Sequence, residues 1–368
     1  MKILLIGEYS NVHWTLAEGL RALGHQVTVL SNGDFWKNYP RDLNLVRDNK
    51  PFGGLRYMLH LLTYLPSLSG YNVVQLINPM FLELKAERIL PIYKYLRQHN
   101  KKLFLGAFGM DYYWVHENIC RKPLRYSDFN IGNELRTDIN ALKERKDWIG
   151  TSKEKLNEYI ANDCDGIIAG LYEYLACYQP LFPHKTTFIP YPIKCKNKTP
   201  NFAENDKLRI FIGINKDRSE YKGTDIMLKA AQAIVSKYPT LAELKIAESV
   251  PFAQYQKMMS DSDIILDQLY SYTPAMNALE AMSQGIIVVG GGEHENYEIL
   301  HENEIKPIIN VEPNYESVYH ELEKLVLHKD RIQLLKEQSV TYIQKHHDYL
   351  KVAKQYEKFY GMEENIHL

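Results

Sequence analysis

The stretch LRIFIGINKDRSEYKGTD, residues 208–225, joins an apolar run, a cluster of cations and a helix start. Leu208 to Ile214 has strand length and composition and ends at Gly213 or Ile214. Lys216, Arg218 and Lys222 therefore crowd the loop at its carboxyl end, just before a helix that opens near Gly223 and Thr224. Open parallel sheets bind ligands outside their carboxyl ends, and clustered cations beside a helix start suit a diphosphate. A solvated basic loop, partly neutralised by Asp217 and Glu220, fits the same residues.

Outward from this stretch, apolar runs alternate with helical periodicity. Downstream come GTDIMLKAAQAIVSKYP, ELKIAES, FAQYQKMM, DIILDQL, PAMNALEAMSQ and IIVVGG; upstream come KILLIG, WTLAEGLRALG, QVTVLS, NVVQLI, FLELKAERILPIYKYLRQ, KLFLGAFG, DGIIAG and TTFIPYPI. That alternation predicts an α/β protein whose parallel sheets are covered by helices. The polar stretch KCKNKTPNFAENDK, residues 194–207, carries Pro200 and reads as a linker. Two tandem doubly wound Rossmann-like domains follow, 1–193 and 208–346, facing a central cleft in which function is expected. The amphipathic end of the chain, about 347–368, has no strand after it.

With 368 residues and 45% hydrophobic content, the chain can bury two cores. Its 44 lysines and arginines balance 45 acidic residues, so no global field would hold it on nucleic acid or an anionic membrane. Cys120, Cys164, Cys177 and Cys195 have neither metal-ligand spacing nor disulfide-scaffold density, which predicts a reducing, cytoplasmic compartment. MKILLIGEYS is too short in its apolar part for a signal peptide. No apolar run reaches the length of a spanning helix.

The second candidate region is SYTPAMNALEAMSQGIIVVGGG, residues 271–292. Pro274 suits a first helical position and Thr273 a cap, which would leave free N–H groups at Ala275, Met276 and Asn277 for a phosphate. Ala275, Ala278, Leu279 and Met282 follow helical spacing and predict the buried stripe. Glu280 lies on another face, turned to solvent or to the cleft.

These two regions, in this order and spacing, resemble the donor-binding half of the family 4 retaining glycosyltransferases of the GT-B fold. Lys222-Gly223 matches that family's Lys-Gly, Arg218 its basic partner, and Glu280-Ala281-Met282 its second glutamate. The resemblance implies a nucleotide-diphosphate sugar as donor and no metal or other cofactor. It implies a glycan or lipid-linked glycan as acceptor, and a C-terminal helix crossing back to the first domain. Arg218 and Lys222 would hold the diphosphate and stabilise charge on it as the sugar leaves. Glu280 would accept the ribose hydroxyls, and Gly213, Lys216 and residues 273–277 would line the donor. Family members also touch membranes through the first domain, which here means the inner face.

The chain departs from the family where Tyr272 stands in place of the first, sugar-contacting glutamate. Gln268 beside Asp267, or Glu293 and Glu295 after the glycine turn, could supply the missing acceptor. The same departure supports a different class of protein, one that binds nucleotide or a partner without transferring sugar.

In the first domain, GEYSNVHW lacks the dinucleotide glycine fingerprint. Asn11 and His13 would point into the cleft from the acceptor side, or His13 would only start a helix. Asp111 follows the KLFLGAFG strand, as an acceptor-hydroxyl contact or base, or as a turn or cap aspartate. Asp163-Cys164-Asp165 and Asp261-Ser262-Asp263 spell Asp-x-Asp, but each precedes a strand, at the wrong end for a metal site. LRYMLHLLTYL, residues 55–65, lacks a basic face and reads as a core helix.

Overall fold

The computed structural model describes residues 1–195, 200–203 and 207–361. Of the expected linker, residues 196–199 and 204–206 lie outside the described residues. The chain divides into two compact units. The first contains Met1–Pro123, Glu144–Pro192 and the segment from Tyr349 onward; the second contains Leu124–Lys143 and Ile193–Asp348. Residues 124–143, which the sequence reading places in the first domain, thus group with the second.

In chain order the strands are β1 (Lys2–Ile6), β2 (Gln26–Ser31), β3 (Leu43–Asn44), β4 (Val73–Leu76), β5 (Lys102–Ala107), β6 (Asn130–Ile131) and β7 (Glu134–Leu135). They continue as β8 (Gly166–Ala169), β9 (Thr186–Phe188), β10 (Leu208–Ile214), β11 (Ala242–Glu248), β12 (Ile264–Leu266), β13 (Ile287–Gly290) and β14 (Ile309–Asn310).

The first unit's sheet is parallel, in the order β3-β2-β1-β4-β5-β8-β9. Ile3 to Ile6 and Val73 to Leu76 are buried, as both-faced coverage by helices requires. The terminal helix Tyr349–Phe359 belongs to this unit and packs on the helix Val12–Ala22. Gly19 makes the close approach feasible, because a Cβ there would lie 2.6 Å from the Tyr349 carbonyl oxygen and 2.8 Å from the Ala353 Cβ. The His25–Glu357 contact at 2.9 Å and a bond from Lys102 Nζ to the Tyr360 carbonyl tie down its carboxyl end.

The helix Gly53–Tyr64 corrects the core-helix expectation for residues 55–65. It buries only Gly53, Tyr57 and Leu61, one residue per turn, while Phe52, Leu55, Leu59 and Leu62 are 78%, 59%, 55% and 47% exposed. Apolar composition does not determine which side of a helix meets the core. Among the described residues no helix is long and apolar enough to cross a membrane.

The second unit's main sheet is also parallel, in the order β11-β10-β12-β13-β14. Its core joins Ile210, Ile212, Ile264, Leu266, Ile287 and Val289 to residues of the helices Thr224–Lys237 and Tyr315–Leu327. Three of the four Asp-x-Asp carboxyls, those of Asp163, Asp165 and Asp263, have partners within their own unit. Asp263, before β12, is 1% exposed and receives Arg209 Nε at 2.8 Å and Lys336 Nζ at 2.8 Å. Asp165 pairs with Arg97, and Asp163 accepts the Tyr93 hydroxyl. Removing the Asp263 carboxyl leaves Lys336 charged and buried, so Asp263→Ala should destabilise the protein by about 3–5 kcal/mol. Urea unfolding measures this, and unchanged stability would refute the structural role.

Candidate functional site

In the second sheet, β10 has β11 on one side and β12 on the other, so connections leave it in both directions. Such a switch point opens a crevice at the carboxyl ends. The loop after β10 carries the cations, and the segment after β12 leads to Glu280.

Asn215 starts the cation loop, its side chain accepting the Asp217 N–H at 3.1 Å. A short turn, Lys216–Arg218, runs into one helical turn, Ser219–Lys222. Gly223 closes it at φ 71°, where a Cβ would lie 2.5 Å from the Leu269 Cβ. Glycine is needed there for conformation and for space. The Lys222 carbonyl accepts the Leu269 N–H at 3.0 Å, stitching the two candidate segments together. The Arg218 guanidinium lies 5.0 Å from the Tyr221 ring centroid. Lys216 is exposed and pairs with Glu248 at 3.2 Å, a surface contact of little energetic weight.

The second segment begins its helix later than expected. The helix is Met276–Met282, its cap is Ala275, and no side chain caps it. Thr273 is buried, and its carbonyl accepts the Ser271 hydroxyl at 2.6 Å, which holds Thr273-Pro274 outside the helix. The N–H groups of the first turn are therefore those of Met276, Asn277 and Ala278. Ala278, Leu279, Ala281 and Met282 are buried, and Glu280 lies off that stripe, half-buried, with Gln284 Nε2 3.4 Å from its Oε1.

Asn277 bridges Tyr255 and Asp267: it accepts the Tyr255 hydroxyl at 3.1 Å and donates to the Asp267 carboxyl at 3.3 Å. The Tyr255 ring covers Gly213, where a Cβ would lie 2.4 Å from it. Burial raises the Asp267 carboxyl above its ordinary range, with the Lys222 charge and the Asn277 bond opposing. Gly213, Asn277 and Lys222 thus meet around Tyr255 and Asp267, two residues that periodicity does not single out. Gln268 lies beside Gly290, where a Cβ would come within 3.2 Å of its carbonyl oxygen.

Tyr272 is 1% exposed. Its hydroxyl accepts the Arg125 backbone N–H at 2.6 Å, the Arg125 guanidinium lies 4.8 Å from its ring centroid, and the Tyr126 ring lies 4.9 Å away. Glu293 and Glu295 have partners within the unit. They bind Arg125 at 2.6 and 2.5 Å, and Glu293 also accepts the Tyr126 hydroxyl.

The same strap, Leu124–Lys143, fastens the cation loop. Arg136 is buried, donates to the Glu220 and Tyr221 carbonyls at 3.0 Å each, and stacks 3.7 Å from the Tyr270 centroid. Asn140 donates to the Asp217 carbonyl at 2.7 Å. These long-range partners leave no local signal; the only hint is two arginines in a turn-rich stretch between helices.

In the first unit the acceptor-side candidates have internal partners. Asn11 adopts φ 69° and donates to the Thr15 hydroxyl at 3.2 Å. His13 is fully buried, with Nδ1 2.8 Å from the Gly7 carbonyl and Nε2 3.0 Å from Gln75 Nε2, and burial pushes its pKa down to about 3. Asp111 is the helix cap: it accepts the Trp114 N–H and the Tyr178 hydroxyl, both at 2.8 Å, and burial raises its carboxyl to about 7. With both oxygens engaged inside the unit, Asp111 holds a helix start in this geometry.

No protein-family model matches the sequence, and no curated protein matches it. Solved structures match its fold. Sucrose-phosphate synthase from Thermosynechococcus elongatus aligns over 98% of this chain and 98% of its own, with TM-score 0.65 and 14% identity. HepE of Anabaena in complex with UDP-glucose aligns over 97% and 98%, with TM-score 0.62 and 11% identity. UDP-GlcNAc 2-epimerase from Neisseria meningitidis bound to UDP-GlcNAc aligns over 97% and 99%, with TM-score 0.54 and 11% identity. The shared fold is GT-B, with two Rossmann-like domains.

The His13 environment makes stability depend on pH. Its ordinary value of 6.5 falls to about 3 on folding, so between those values the unfolded chain binds a proton that the folded chain refuses. This contribution lowers stability as pH falls through that window. His13→Gln should flatten the acid limb of a melting-temperature profile between those pH values; an unchanged slope would place the sensitivity elsewhere.

Proposed function

We propose that this protein is a retaining, metal-independent glycosyltransferase of the family 4 type. It would move a sugar from a nucleotide-diphosphate sugar to a hydroxyl of a glycan or lipid-linked glycan. One observation carries the reading: the Arg218/Lys222 loop and the Glu280 segment leave the carboxyl ends of β10 and β12, neighbours at the switch point of the second sheet. That crevice is where a doubly wound sheet takes a nucleotide. The solved neighbours bound to UDP-sugars share this fold, which supports the reading by analogy.

In this reading Arg218 and Lys222 contact the diphosphate and stabilise the negative charge that grows as the bond from the sugar C1 to phosphate oxygen breaks. The acceptor oxygen bonds to C1 from the same face, and its proton passes to the departing phosphate oxygen. Retention follows from that geometry. Glu280 takes the ribose hydroxyls, an acceptor-only group meeting two donors. The N–H groups of Met276, Asn277 and Ala278 offer further donors to phosphate or sugar, and no step requires Asp111 or a metal. The outward apolar face of Gly53–Tyr64 supports peripheral contact of the first unit with the cytoplasmic face of a membrane.

Tyr272 favours a second reading, a nucleotide-binding or partner protein without transfer activity. The family's sugar-contacting carboxylate is absent there, and the tyrosine is fixed under Arg125. Calorimetry with UDP and GDP beside turnover assays over a panel of sugar nucleotides separates the two. Tight nucleotide binding without hydrolysis or transfer would establish the second. If the first holds, Lys222→Ala lowers kcat by about 10² or more, and near-normal turnover would remove Lys222 from the mechanism. Glu280→Ala should weaken nucleotide binding about tenfold, a loss of charged hydrogen bonds to the ribose.

A further inference from the structure

The cation loop has little order of its own. Its helical part, Ser219–Lys222, is a single turn, and one turn fixes several backbone dihedrals for very few hydrogen bonds. Its internal bonds are short-range: the Asn215 carbonyl accepts the Arg218 N–H at 3.0 Å, and the Glu220 carbonyl the Gly223 N–H at 3.2 Å. A diphosphate needs its cations at a set spacing, and a loop that must be ordered at the moment of binding loses affinity.

The strap Leu124–Lys143 supplies the missing order, and it does so at particular peptide groups. Asn140 donates to the Asp217 carbonyl, and the same peptide group carries the Arg218 N–H. Arg136 donates to the Tyr221 carbonyl, whose peptide group carries the Lys222 N–H. The peptide unit leading into each of the two cations is therefore held from outside the loop. Because that unit is planar, fixing its oxygen fixes the plane from which the next Cα and its side chain depart. Lys222 is held on its other side as well, where its carbonyl accepts the Leu269 N–H at 3.0 Å.

The Arg136 side chain is only 7% exposed, and its donors are spent within the unit. One terminal nitrogen donates to the Ser127 and Tyr221 carbonyls at 3.3 and 3.0 Å; the other donates to the Glu220 carbonyl at 3.0 Å and lies 3.1 Å from the Asp138 carboxyl. A phosphate would feel it through the loop and not by contact. The strap also carries its own order. The Asn130 side chain donates to the Leu124 and Gly132 carbonyls at 3.0 Å each, and the Arg136 N–H bonds to the Phe129 carbonyl at 2.9 Å. Near its start the Arg125 N–H meets the Tyr272 hydroxyl. A support that is itself fixed can hold a binding group to the accuracy that recognition needs.

From this geometry we infer that Arg136 is a positioning residue for diphosphate binding, the member of the strap that pre-orders the Arg218/Lys222 loop. The inference rests on the donor-site reading of that loop. A loop already ordered has less freedom to lose when its ligand arrives, so the benefit appears in the binding constant. Both cations answer to the strap, so the effect belongs to the pyrophosphoryl group and spares the nucleoside, whose ribose the proposed reading gives to Glu280.

The test is calorimetry on the full chain with UDP, GDP and inorganic pyrophosphate, with ligand-observed NMR for uridine and guanosine as diphosphate-free controls. Amide hydrogen exchange of the unliganded protein is followed beside it. Arg136→Met keeps an unbranched apolar chain over Tyr270; it should weaken nucleoside diphosphate binding about tenfold and leave nucleoside binding within about twofold. Exchange should quicken at residues 216–223 and stay slow at Ile210–Ile212 in β10. Arg136→Lys should not restore affinity, since an ammonium cannot stack and reach two carbonyls at once. Asn140→Ala, at a half-buried position, should weaken diphosphate binding about threefold, and it carries the test if Arg136→Met fails to fold. Equal weakening of nucleotide and nucleoside would overturn the inference, as would unchanged exchange at residues 216–223 or faster exchange with diphosphate affinity intact. If the unaltered protein binds neither nucleotide nor pyrophosphate, the donor-site reading falls and takes the inference with it. If it binds them and the variants bind equally well, the donor-site reading stands and this inference alone falls.

Discussion

A parallel sheet can be extended only by crossovers, and a chain that crosses first to one side of a strand and later to the other must part its loops between them. Both units are built on this constraint, at β1 with β2 and β4 and at β10 with β11 and β12. The proposed function rests on what the sequence puts at the carboxyl ends of the second sheet. The second unit places Arg218, Lys222 and the Glu280 segment after β10 and β12, beside one opening; the residues that line the other include Glu8, Tyr9, Phe35, Tyr57, Phe81 and Glu83.

The second opening depends on a segment remote in sequence. Arg136 suits its place because a guanidinium can stack on Tyr270 through its plane while its edge donates to two carbonyls, which a lysine cannot do. Arg125 does the equivalent at Tyr272, with Glu293 and Glu295 as counter-charges. The position where the resembling family carries a carboxylate is thus occupied by a tyrosine whose hydroxyl and ring are both used in holding the strap. The departure from the family is a coherent local structure involving Arg125, Tyr126, Tyr272 and two glutamates.

Much of this was legible in the sequence, where the physics is local. Strand-length apolar runs placed β1, β10 and β12, and their carboxyl ends placed the cation loop; helical spacing put Glu280 off the buried stripe. The helix expected to start at Thr273 starts later, with Ala275 as its cap, and the Thr273 carbonyl is taken by the Ser271 hydroxyl, a bond invisible to periodicity. His13 starts a helix and Asp111 caps one, each an alternative the sequence offered, and their partners Gln75 and Tyr178, far away in sequence, are what periodicity could not show. The exposed face of Gly53–Tyr64 was illegible for a related reason: apolar character says that a surface seeks a partner, not whether the chain supplies one.

The strap also imposes an order on biosynthesis. Residues 124–143 leave the ribosome before any strand of the main sheet of the unit they group with, since β10 begins only at Leu208 and Glu293 and Glu295 come later still. Until then Arg125 and Arg136 have no native guanidinium partners among Tyr270, Glu293 and Glu295. The amino-terminal unit must likewise wait for Tyr349–Phe359 to cover Gly19. Neither unit can finish during translation before most of the other has been made, which makes a shared, late step the natural end of maturation for the whole polypeptide.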